Sequence, residues 1–336
     1  MVSPENHTAD FPSTHDDATP WKLYDQLIAG IPDNIIVRDY CLGTHWSYVE
    51  ADCGTGVSFT CKGGARRTCK QDLRGVSLRT IAELAKSWCF EEATLGVAAL
   101  NAYYARKELL NPLGAVYDEP VELPDGTIRK MDAFELYRPR IERAESRRVT
   151  VIGHFPHVDR IAAYADLTVL ERNCTQELDT PDPACEYVLP STDFAFITGV
   201  TLINKTAPRL LELSKNATVV FVGPSVIMAP CLFDQGADAL AGSVVADPEK
   251  ARFAVKNGAG QLFGEALQMT FMTRDHISLR PRRRAPSRAG MFHVKHLFVP
   301  TSASCEEPAC VQRRRPRTPS RPWPHSYYIQ LIIVLI

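Results

Sequence analysis

The feature that most constrains the fold of this chain is an alternation of apolar runs with helix-like segments, which starts near Arg148. Five runs are short and rich in Val, Ile and Phe, namely VTVIG, LTVLE, FAFITG, TVVFVG and ALAGSVV. The helix-like segments NKTAPRLLELSKN and DPEKARFAVKNG follow the third and the fifth of them. Strands that are apolar throughout are buried on both faces. The pattern therefore predicts an α/β fold with a doubly wound, mostly parallel sheet.

The part of the chain before this alternation predicts a smaller α+β domain. A helix is expected from Pro20 to Gly30. Three strand-like runs follow, NIIVRDY, HWSYVEA and GVSFTC, and the short turns between them predict an antiparallel meander. A helical stretch over 77–110, interrupted near Cys89–Glu91, comes next, and Asp125-Gly126 predicts a hairpin turn. Five apolar residues at helical spacing are expected to form a core stripe, namely Leu78, Ile81, Leu84, Ala85 and Trp88.

These patterns divide the chain into four segments. Residues 1–19 are polar and are predicted to be disordered, 20–145 form the α+β domain, and 146–274 form the doubly wound domain. The segment 275–336 is rich in Arg and Pro, cannot build a core, and is not expected to belong to the fold. From His276 onward there are eleven Lys or Arg against two Glu, about +9, which leaves about −10 on residues 1–275. This balance argues against a nucleic-acid partner for residues 1–275.

The ends of the chain and the cysteines predict a cytoplasmic protein. The first twenty residues lack the apolar centre of a secretory signal, and the terminal YYIQLIIVLI has about half the length that spans a bilayer, so no membrane contact is expected. The ten cysteines include no C-x-x-C pair, which is typical of free thiols. The spacing of Cys41, Cys53, Cys61 and Cys69 fits no structural zinc pattern. A homo-oligomer stays an open alternative.

Ligands of open α/β sheets lie beyond the carboxyl ends of the strands, where this chain carries small and polar residues. Asn101 is the expected contribution of the first domain, with a buried amide bonded to the backbone as the alternative. Gly242 and Ser243, within the fifth run, are expected to be a further strand end. The predicted ligand-binding residues at the strand ends are Gly153, His154, Phe155, Pro156, Glu171, Asn173, Thr198, Gly199, Thr201, Asn204, Gly223, Pro224 and Ser225.

The loop after the first of these runs excludes a pyrophosphate cradle. It reads Gly153-His154-Phe155-Pro156 where a dinucleotide site needs G-x-G-x-x-G, Pro156 has no N–H and Phe155 is bulky. No nucleotide cofactor is therefore predicted. His154 can be a metal ligand or a proton carrier, or it can fix the loop by a hydrogen bond. Glu171 has the spacing of a ribose-binding acid, with a solvated strand-end acid as the alternative.

Two further positions have a structural alternative. Asn204 and Thr206 begin a helix and can bind an anion there or simply cap it. Ser225 follows Gly-Pro rather than standing in a G-x-S-x-G elbow, which excludes it as a nucleophile of that type. No catalytic residue is identified from the sequence.

Several stretches resemble the DUF364 family. They are VIGHFP, VLERN, DFAFITGVTLINKTAPRLLELSKNATVVFVGPS and LFDQGADALAGSVVADPE, and GVSFTC with LGVAALNA resembles the DUF4213 domain that precedes it. The resemblance implies an enolase-N-terminal-like domain followed by a Rossmann-like domain, with a site in the cleft between them. Val200 departs from the family, which has a small hydroxyl residue there.

The resemblance also implies the function. The family is associated with heavy-metal chelation, so we expect a metal-handling protein that binds a transition or heavy metal ion or a small-molecule metal chelate. His154, Glu171 and Asp234 are the expected metal ligands. The alternative is an enzyme that acts on a small anionic or nucleotide-like substrate without a resident metal.

The Arg/Pro-rich tail contains a stretch with an unusual coding property. Met291–His296, MFHVKH, can be encoded by ATG TTT CAC GTG AAA CAT, which is its own reverse complement and resembles a bacterial partition site. Such symmetry belongs to DNA that binds two-fold symmetric proteins. We therefore expect that a frameshift or a lost stop codon carried the reading frame into this DNA. The alternative is a genuine basic tail that binds nucleic acid.

Overall fold

The computed structural model describes residues 20–119, 121–122, 128–129, 132–258 and 262–276. The predicted disordered N-terminus, the Asp125-Gly126 turn and nearly all of the Arg/Pro-rich tail lie outside these ranges. The two strands that flank that turn, β5 (Val121–Glu122) and β6 (Ile128–Arg129), are paired antiparallel. Among the described residues no helix is long and apolar enough to cross a membrane. The eight cysteines in these ranges are all free thiols.

The first part of the chain forms the predicted meander. After helix α1 (Lys22–Ala29) come β1 (Val37–Leu42), β2 (Trp46–Ala51) and β3 (Gly54–Phe59), which pair antiparallel in that order. One face of this small sheet packs on a long helix described next, and the other on α9 (Pro248–Lys256). This confirms the three predicted strands.

The helical stretch is interrupted close to the predicted position. Helix α2 (Leu78–Ala82) continues as a 3-10 turn to Lys86, and α3 (Phe90–Tyr104) begins after a three-residue break and is followed by α4 (Lys107–Leu110). The predicted core stripe is correct for Leu78, Ile81 and Ala85, which are buried, while Leu84 is half-buried. It is wrong for Trp88, which is 58% exposed, because the helix ends before that residue and the helical spacing no longer applies.

The second sheet has eight strands and is mostly parallel. Its strands are β4 (Val116–Tyr117), β7 (Arg148–Ile152), β8 (Asp166–Glu171), β9 (Asp179–Pro181), β10 (Phe194–Thr198), β11 (Thr218–Val222), β12 (Ala239–Val245) and β13 (Leu267–Thr273). The helices that follow or connect them are α5 (Ala133–Arg143), α6 (Cys185–Val188), α7 (Ala207–Leu213) and α8 (Cys231–Gln235). All five predicted strands are present, and β4, β9 and β13 are additional.

The strand order is β4-β13-β12-β11-β10-β7-β8-β9, and the six strands from β12 to β9 are parallel. Numbered along the chain, these six take the order 3-2-1-4-5-6 of doubly wound dinucleotide-binding folds. The order reverses between β7 and β10, and ligands of such sheets bind beyond the carboxyl ends at this switch point. We call that side of the sheet the carboxyl edge.

One hydrophobic core joins the small sheet and the large sheet. It contains Val49 of the small sheet, Leu95 and Ala99 of α3, and Ile197 and Phe221 of the large sheet. A buried hydrogen bond reinforces it, since the Tyr24 hydroxyl donates to the Leu202 carbonyl at 2.9 Å. The division into two domains near residue 145, and the likeness of the first to an enolase N-terminal domain, stay predictions.

Candidate ligand site

The chain passes tightly from β7 over the end of β10 at the switch point. Gly153 has a φ of 93°, and a Cβ at this position would lie 2.9 Å from Cγ2 of Thr198. Thr198 accepts a hydrogen bond from the Val200 N–H at 3.3 Å, and its carbonyl accepts one from the Thr201 hydroxyl at 2.7 Å. Gly153, Thr198 and Thr201 therefore build the turn at the switch point. Only glycine fits at position 153, where the backbone lies closest to the Thr198 side chain.

The side chain of Phe155 covers part of the carboxyl edge. Its ring packs edge-on against Phe134 with the centroids 5.5 Å apart. It also reaches β11, because a Cβ built on Gly223 would lie 3.9 Å from Phe155 Cε1. Pro156, the next residue, is exposed. The loop after β7 thus places an aromatic ring where a pyrophosphate cradle would have backbone N–H groups.

His154 is held by a buried carboxylate. Its Nδ1 lies 3.2 Å from Oδ1 of Asp179, whose side chain is fully buried at the start of β9. The other carboxylate oxygen accepts the N–H groups of Thr175 and Gln176 at 2.9 and 2.8 Å. Burial acts to raise the pKa of Asp179, but these two backbone hydrogen bonds and His154 outweigh it and lower the pKa. An ionised Asp179 therefore orients the imidazole and leaves Nε2 as its outer nitrogen.

Two other predicted ligand residues satisfy local backbone groups. Glu171 accepts the N–H of Arg172 at 2.8 Å and that of Asn173 at 3.4 Å, so it closes its own strand-end turn. Asn204 accepts the N–H of Thr206 at 3.1 Å and its hydroxyl at 2.7 Å, directly before α7. These bonds form a turn before α7, whose N-cap is Thr206, and no side chain caps the helix by a hydrogen bond.

Asn101, Pro224 and Ser225 join the small sheet to the carboxyl edge. The buried Asn101 amide donates to the Val57 carbonyl at 2.9 Å and to the Pro224 carbonyl at 3.2 Å. These bonds match the alternative given for Asn101, a buried amide bonded to the backbone. The Ser225 hydroxyl accepts the N–H of Phe59 at 2.8 Å and is buried.

Two of the glycines expected at strand ends serve close packing. The expectation is wrong for Gly242 and Ser243, which lie in the middle of β12 rather than at its end. A Cβ on Gly199 would lie 2.4 Å from the backbone N of Val226. At Gly242 it would lie 2.6 Å from Sδ of Met228, and the neighbouring Ser243 is buried. These contacts fix the loop after β11 on the sheet and leave no gap above either glycine.

The three residues expected to bind metal do not come together. Across the described ranges no three His, Cys, Asp or Glu side chains form a group that could hold a metal ion. His154 is paired with Asp179, Glu171 closes its own turn, and Asp234 lies exposed on α8, a helix that packs against α1. These residues do not fit a resident metal centre, although His154 alone keeps the orientation of a metal-ligating histidine.

A cavity of about 430 Å³ lies next to this edge and involves residues that the sequence did not single out. The turn between β1 and β2 and the segment after β3 form one wall, and the end of α9 forms the other. Two of the lining side chains are cationic, and Glu91 is the acidic one. The lining residues are Cys41, Leu42, Gly43, Thr44, Thr60, Lys62, Glu91, Val255 and Lys256. Phe59, whose N–H donates to the Ser225 hydroxyl at the carboxyl edge, directly precedes the lining residue Thr60.

Lys205, in a turn between β10 and α7, is a second feature that the sequence did not reveal. Its Nζ donates to the Ser87 carbonyl and, at 2.8 Å, to the Ile203 carbonyl. The rings of Trp88 and Phe90 lie 5.7 and 5.6 Å from it. Burial lowers the pKa of Lys205 to about 8. This cation therefore ties the segment before α3 to the carboxyl edge.

Comparison with known proteins identifies relatives across the described fold. The DUF364 model, described as "Putative heavy-metal chelation", matches residues 135–270, and the DUF4213 model, with the same description, matches 24–104. An uncharacterized protein of Methanocaldococcus jannaschii is 30% identical over 250 residues, which cover 68% of this chain and 86% of that protein.

Two solved structures of unknown function from the DUF364 family are similar in fold. The one from Desulfitobacterium hafniense has a TM-score of 0.66 and 33% identity, and the match covers 76% of this chain and 98% of that one. The one from Pyrococcus horikoshii has a TM-score of 0.61 and 22% identity, over 76% and 99% of the two chains. The sequence models, the relative and the shared fold lead to one conclusion: this chain belongs to the DUF364 family and carries a DUF4213 domain before its DUF364 domain.

Proposed function

We propose that this protein binds a small anionic metal chelate at the carboxyl edge and in the adjoining cavity. The observation that carries the proposal is the pairing of His154 with the buried, ionised Asp179 directly after the first parallel strand. Metal-ligating histidines typically donate their second ring N–H to a carboxylate in this way, which fixes the ring and leaves the other nitrogen for the metal. In this proposal His154 Nε2 supplies one ligand, and the small molecule supplies the others.

The surroundings of the cavity support an anionic ligand. Lys62 and Lys256 line it, Lys256 being also paired with Asp39 at 3.3 Å, and the hydroxyl residues Thr44 and Thr60 offer hydrogen bonds. Its volume of about 430 Å³ falls within the usual range for small-molecule sites. Chelators such as citrate hold a transition metal through carboxylate oxygens, and their anionic groups are recognised by lysines and hydroxyls. The family description of heavy-metal chelation agrees with a ligand of this kind.

The proposal is tested by calorimetric titration of the full chain with citrate, with Ni²⁺ and with their preformed complex. We expect the complex to bind more tightly than either component. His154→Ala should reduce binding of the complex to the level of citrate alone, and Asp179→Asn should weaken it by about 10- to 100-fold, the usual effect of losing such a partner. His157→Asn, a change at a nearby exposed histidine, is the matched control. Equal binding of the complex by wild type and His154→Ala would remove His154 from the site.

The same pair of residues also favours a second function. An imidazole oriented by a carboxylate can act as a general base, which would suit an enzyme acting on a small anionic or nucleotide-like substrate. The strand order alone does not license an activity. NMR spectra of nucleotides and small carboxylic acids incubated with the protein separate the two functions. Chemical conversion that is lost in His154→Ala favours the enzyme, whereas binding without conversion favours the chelate-binding protein.

A further inference from the structure

Residues 62–70, which follow β3 after two intervening residues, are mostly exposed and strongly basic, and we call this segment the basic loop. Its cationic side chains, all exposed, are Lys62, Arg66, Arg67 and Lys70. Within the described parts of the chain none of the four forms an ion pair with a carboxylate. Arg67 donates to the Cys69 carbonyl at 3.1 Å, which is a contact within the loop. Four cations without acidic partners are thus displayed together on one short segment.

A buried carboxylate holds this loop in place. Glu92, in the first turn of α3, is 2% exposed and accepts the N–H groups of Thr68 and Cys69 at 2.5 and 2.6 Å. It also accepts the Ser87 hydroxyl at 2.5 Å. Burial acts to raise the pKa of Glu92, but the hydrogen bonds from Ser87, Cys69 and Thr68 outweigh it and lower the pKa. Glu92 is therefore ionised and fixes the far end of the loop.

The near end of the loop is fixed by backbone hydrogen bonds. The Ala65 N–H donates to the Trp88 carbonyl at 2.8 Å, and the Phe90 N–H donates to the Gly63 carbonyl at 3.1 Å. Both ends of the basic loop are thus joined to the start of α3. Charges carried by a backbone that is already ordered bind a ligand with a smaller loss of entropy than charges on a mobile segment.

The basic loop borders the proposed ligand site. Lys62 lines the cavity. Burial raises the pKa of the preceding Cys61 thiol to about 12, and Arg172 at the end of β8 and Lys205 after β10 lie near enough to oppose this increase. The positive charges of the loop therefore add to those of two residues at the carboxyl edge. Glu91, the acidic lining residue, accepts a hydrogen bond from the Cys89 thiol at 3.4 Å.

We propose that the basic loop selects ligands that carry several negative charges, such as polycarboxylates or polyphosphates, over monocarboxylates. This inference rests on the proposed function, since it names the class of chelate that the site takes. Each additional anionic group can engage a further cation of the loop, so affinity rises with ligand charge. The cavity holds a small molecule, and the net charge of about −10 on residues 1–275 disfavours a nucleic acid as the occupant.

The test compares dissociation constants for acetate, succinate, citrate and tripolyphosphate by calorimetry on the full chain. The loop variant is Arg66→Ala with Lys70→Ala. The control is Arg160→Ala with Lys215→Ala, which also removes two exposed cations, in this case from the second part of the chain. We expect the loop variant to bind citrate and tripolyphosphate about tenfold more weakly and acetate nearly unchanged, with the control like wild type. Circular dichroism checks that both variants are folded.

The outcomes separate the two proposals. If neither citrate nor its Ni²⁺ complex binds to wild type, the proposed function fails and this inference fails with it. If citrate binds and the loop variant loses nothing, or loses acetate and citrate equally, the inference alone is overturned. Binding of a short single-stranded oligonucleotide that is tighter than that of citrate and is lost in the loop variant would also overturn it, in favour of a nucleic-acid surface.

Discussion

Replacing Glu92 should destabilise the protein and do so in a pH-dependent way. Glu92→Ala leaves the N–H groups of Thr68 and Cys69 without their acceptor, and it removes the acceptor of the Ser87 hydroxyl. An unsatisfied buried polar group costs about 1–3 kcal/mol. Thr68 is exposed and Cys69 half-buried, so water can replace part of the loss. We therefore expect the free energy of unfolding to fall by about 2–4 kcal/mol.

Glu92→Gln separates the charge of this residue from its shape. The amide oxygen can still accept from the two backbone N–H groups, but hydrogen bonds to a charged group are roughly twice as strong as neutral ones. The expected loss is about 1–2 kcal/mol at neutral pH. Because the pKa of Glu92 is lowered in the folded protein, the carboxylate stabilises the fold above its ordinary pKa, about 4.3. That stabilisation is lost as the pH falls through the lowered pKa of the folded state.

The measurement is urea unfolding followed by circular dichroism at neutral pH and at several acidic values. The difference between wild type and Glu92→Gln should shrink as the solution becomes more acidic. Glu108→Gln, which removes an exposed carboxylate from α4, is the matched control and should change stability little. Equal stability of wild type and Glu92→Gln at neutral pH, or a difference that grows in acid, would refute the reasoning.

Four further predictions concern other parts of the molecule. Gly199→Ala should lower the unfolding free energy by about 2 kcal/mol or more in thermal melts, because its Cβ would lie 2.4 Å from the Val226 backbone N, which cannot give way as a side chain could; unchanged melting would show that the turn can shift. Since burial lowers the pKa of Lys205 to about 8, the folded state releases this proton at a lower pH than the unfolded state does. The stability of wild type relative to Lys205→Met should therefore increase from about pH 8 to about pH 10, and a decrease in denaturant titrations would contradict this. Removal of residues 276–336 should leave the melting temperature nearly unchanged, because the family match ends at residue 270, and a large fall would mean that the tail supports the fold. Sequencing of the gene should show the palindrome ATG TTT CAC GTG AAA CAT at Met291–His296, and any other codons would favour a genuine basic tail.

The apolar runs predicted the centre of the large sheet but not its borders. The strands β7, β10, β11 and β12 are apolar nearly throughout because neighbours cover both faces, and this signal is strong in a single sequence. At the two opposite edges of the sheet, β4 and β9 have only two and three residues, too few for a pattern. The last strand, β13, alternates buried and half-buried residues and pairs antiparallel with β12, so it lacks the continuous apolar run of its neighbours.

The sequence predicted that the candidate site lies at the carboxyl ends of the strands, but it predicted only some of the residues found there. His154 follows a strand that the sequence predicted, so its place at the carboxyl edge could be foreseen. Its partner Asp179 could not, because it comes from the short β9 and approaches only once the sheet is assembled. Lys205 and the basic loop also depend on contacts between distant segments. The Gly63-Gly64 pair before Arg66 and Arg67 was a visible signal for an exposed basic turn.

The hydrophobic core shared by the two sheets also limits where the reading frame of the gene for this protein can change without loss of the fold. Met272 of β13 is fully buried in the cluster that joins both sheets, and the Arg274 guanidinium donates to the carbonyls of Phe233 and Ala237. A frame change upstream of β13 would strip an antiparallel partner from β12 and uncover apolar surface of both sheets. Such a chain would expose apolar surface, aggregate easily and be degraded by cellular proteases. A change just after Arg274 removes none of these contacts, so new sequence could accumulate there without selection against the fold.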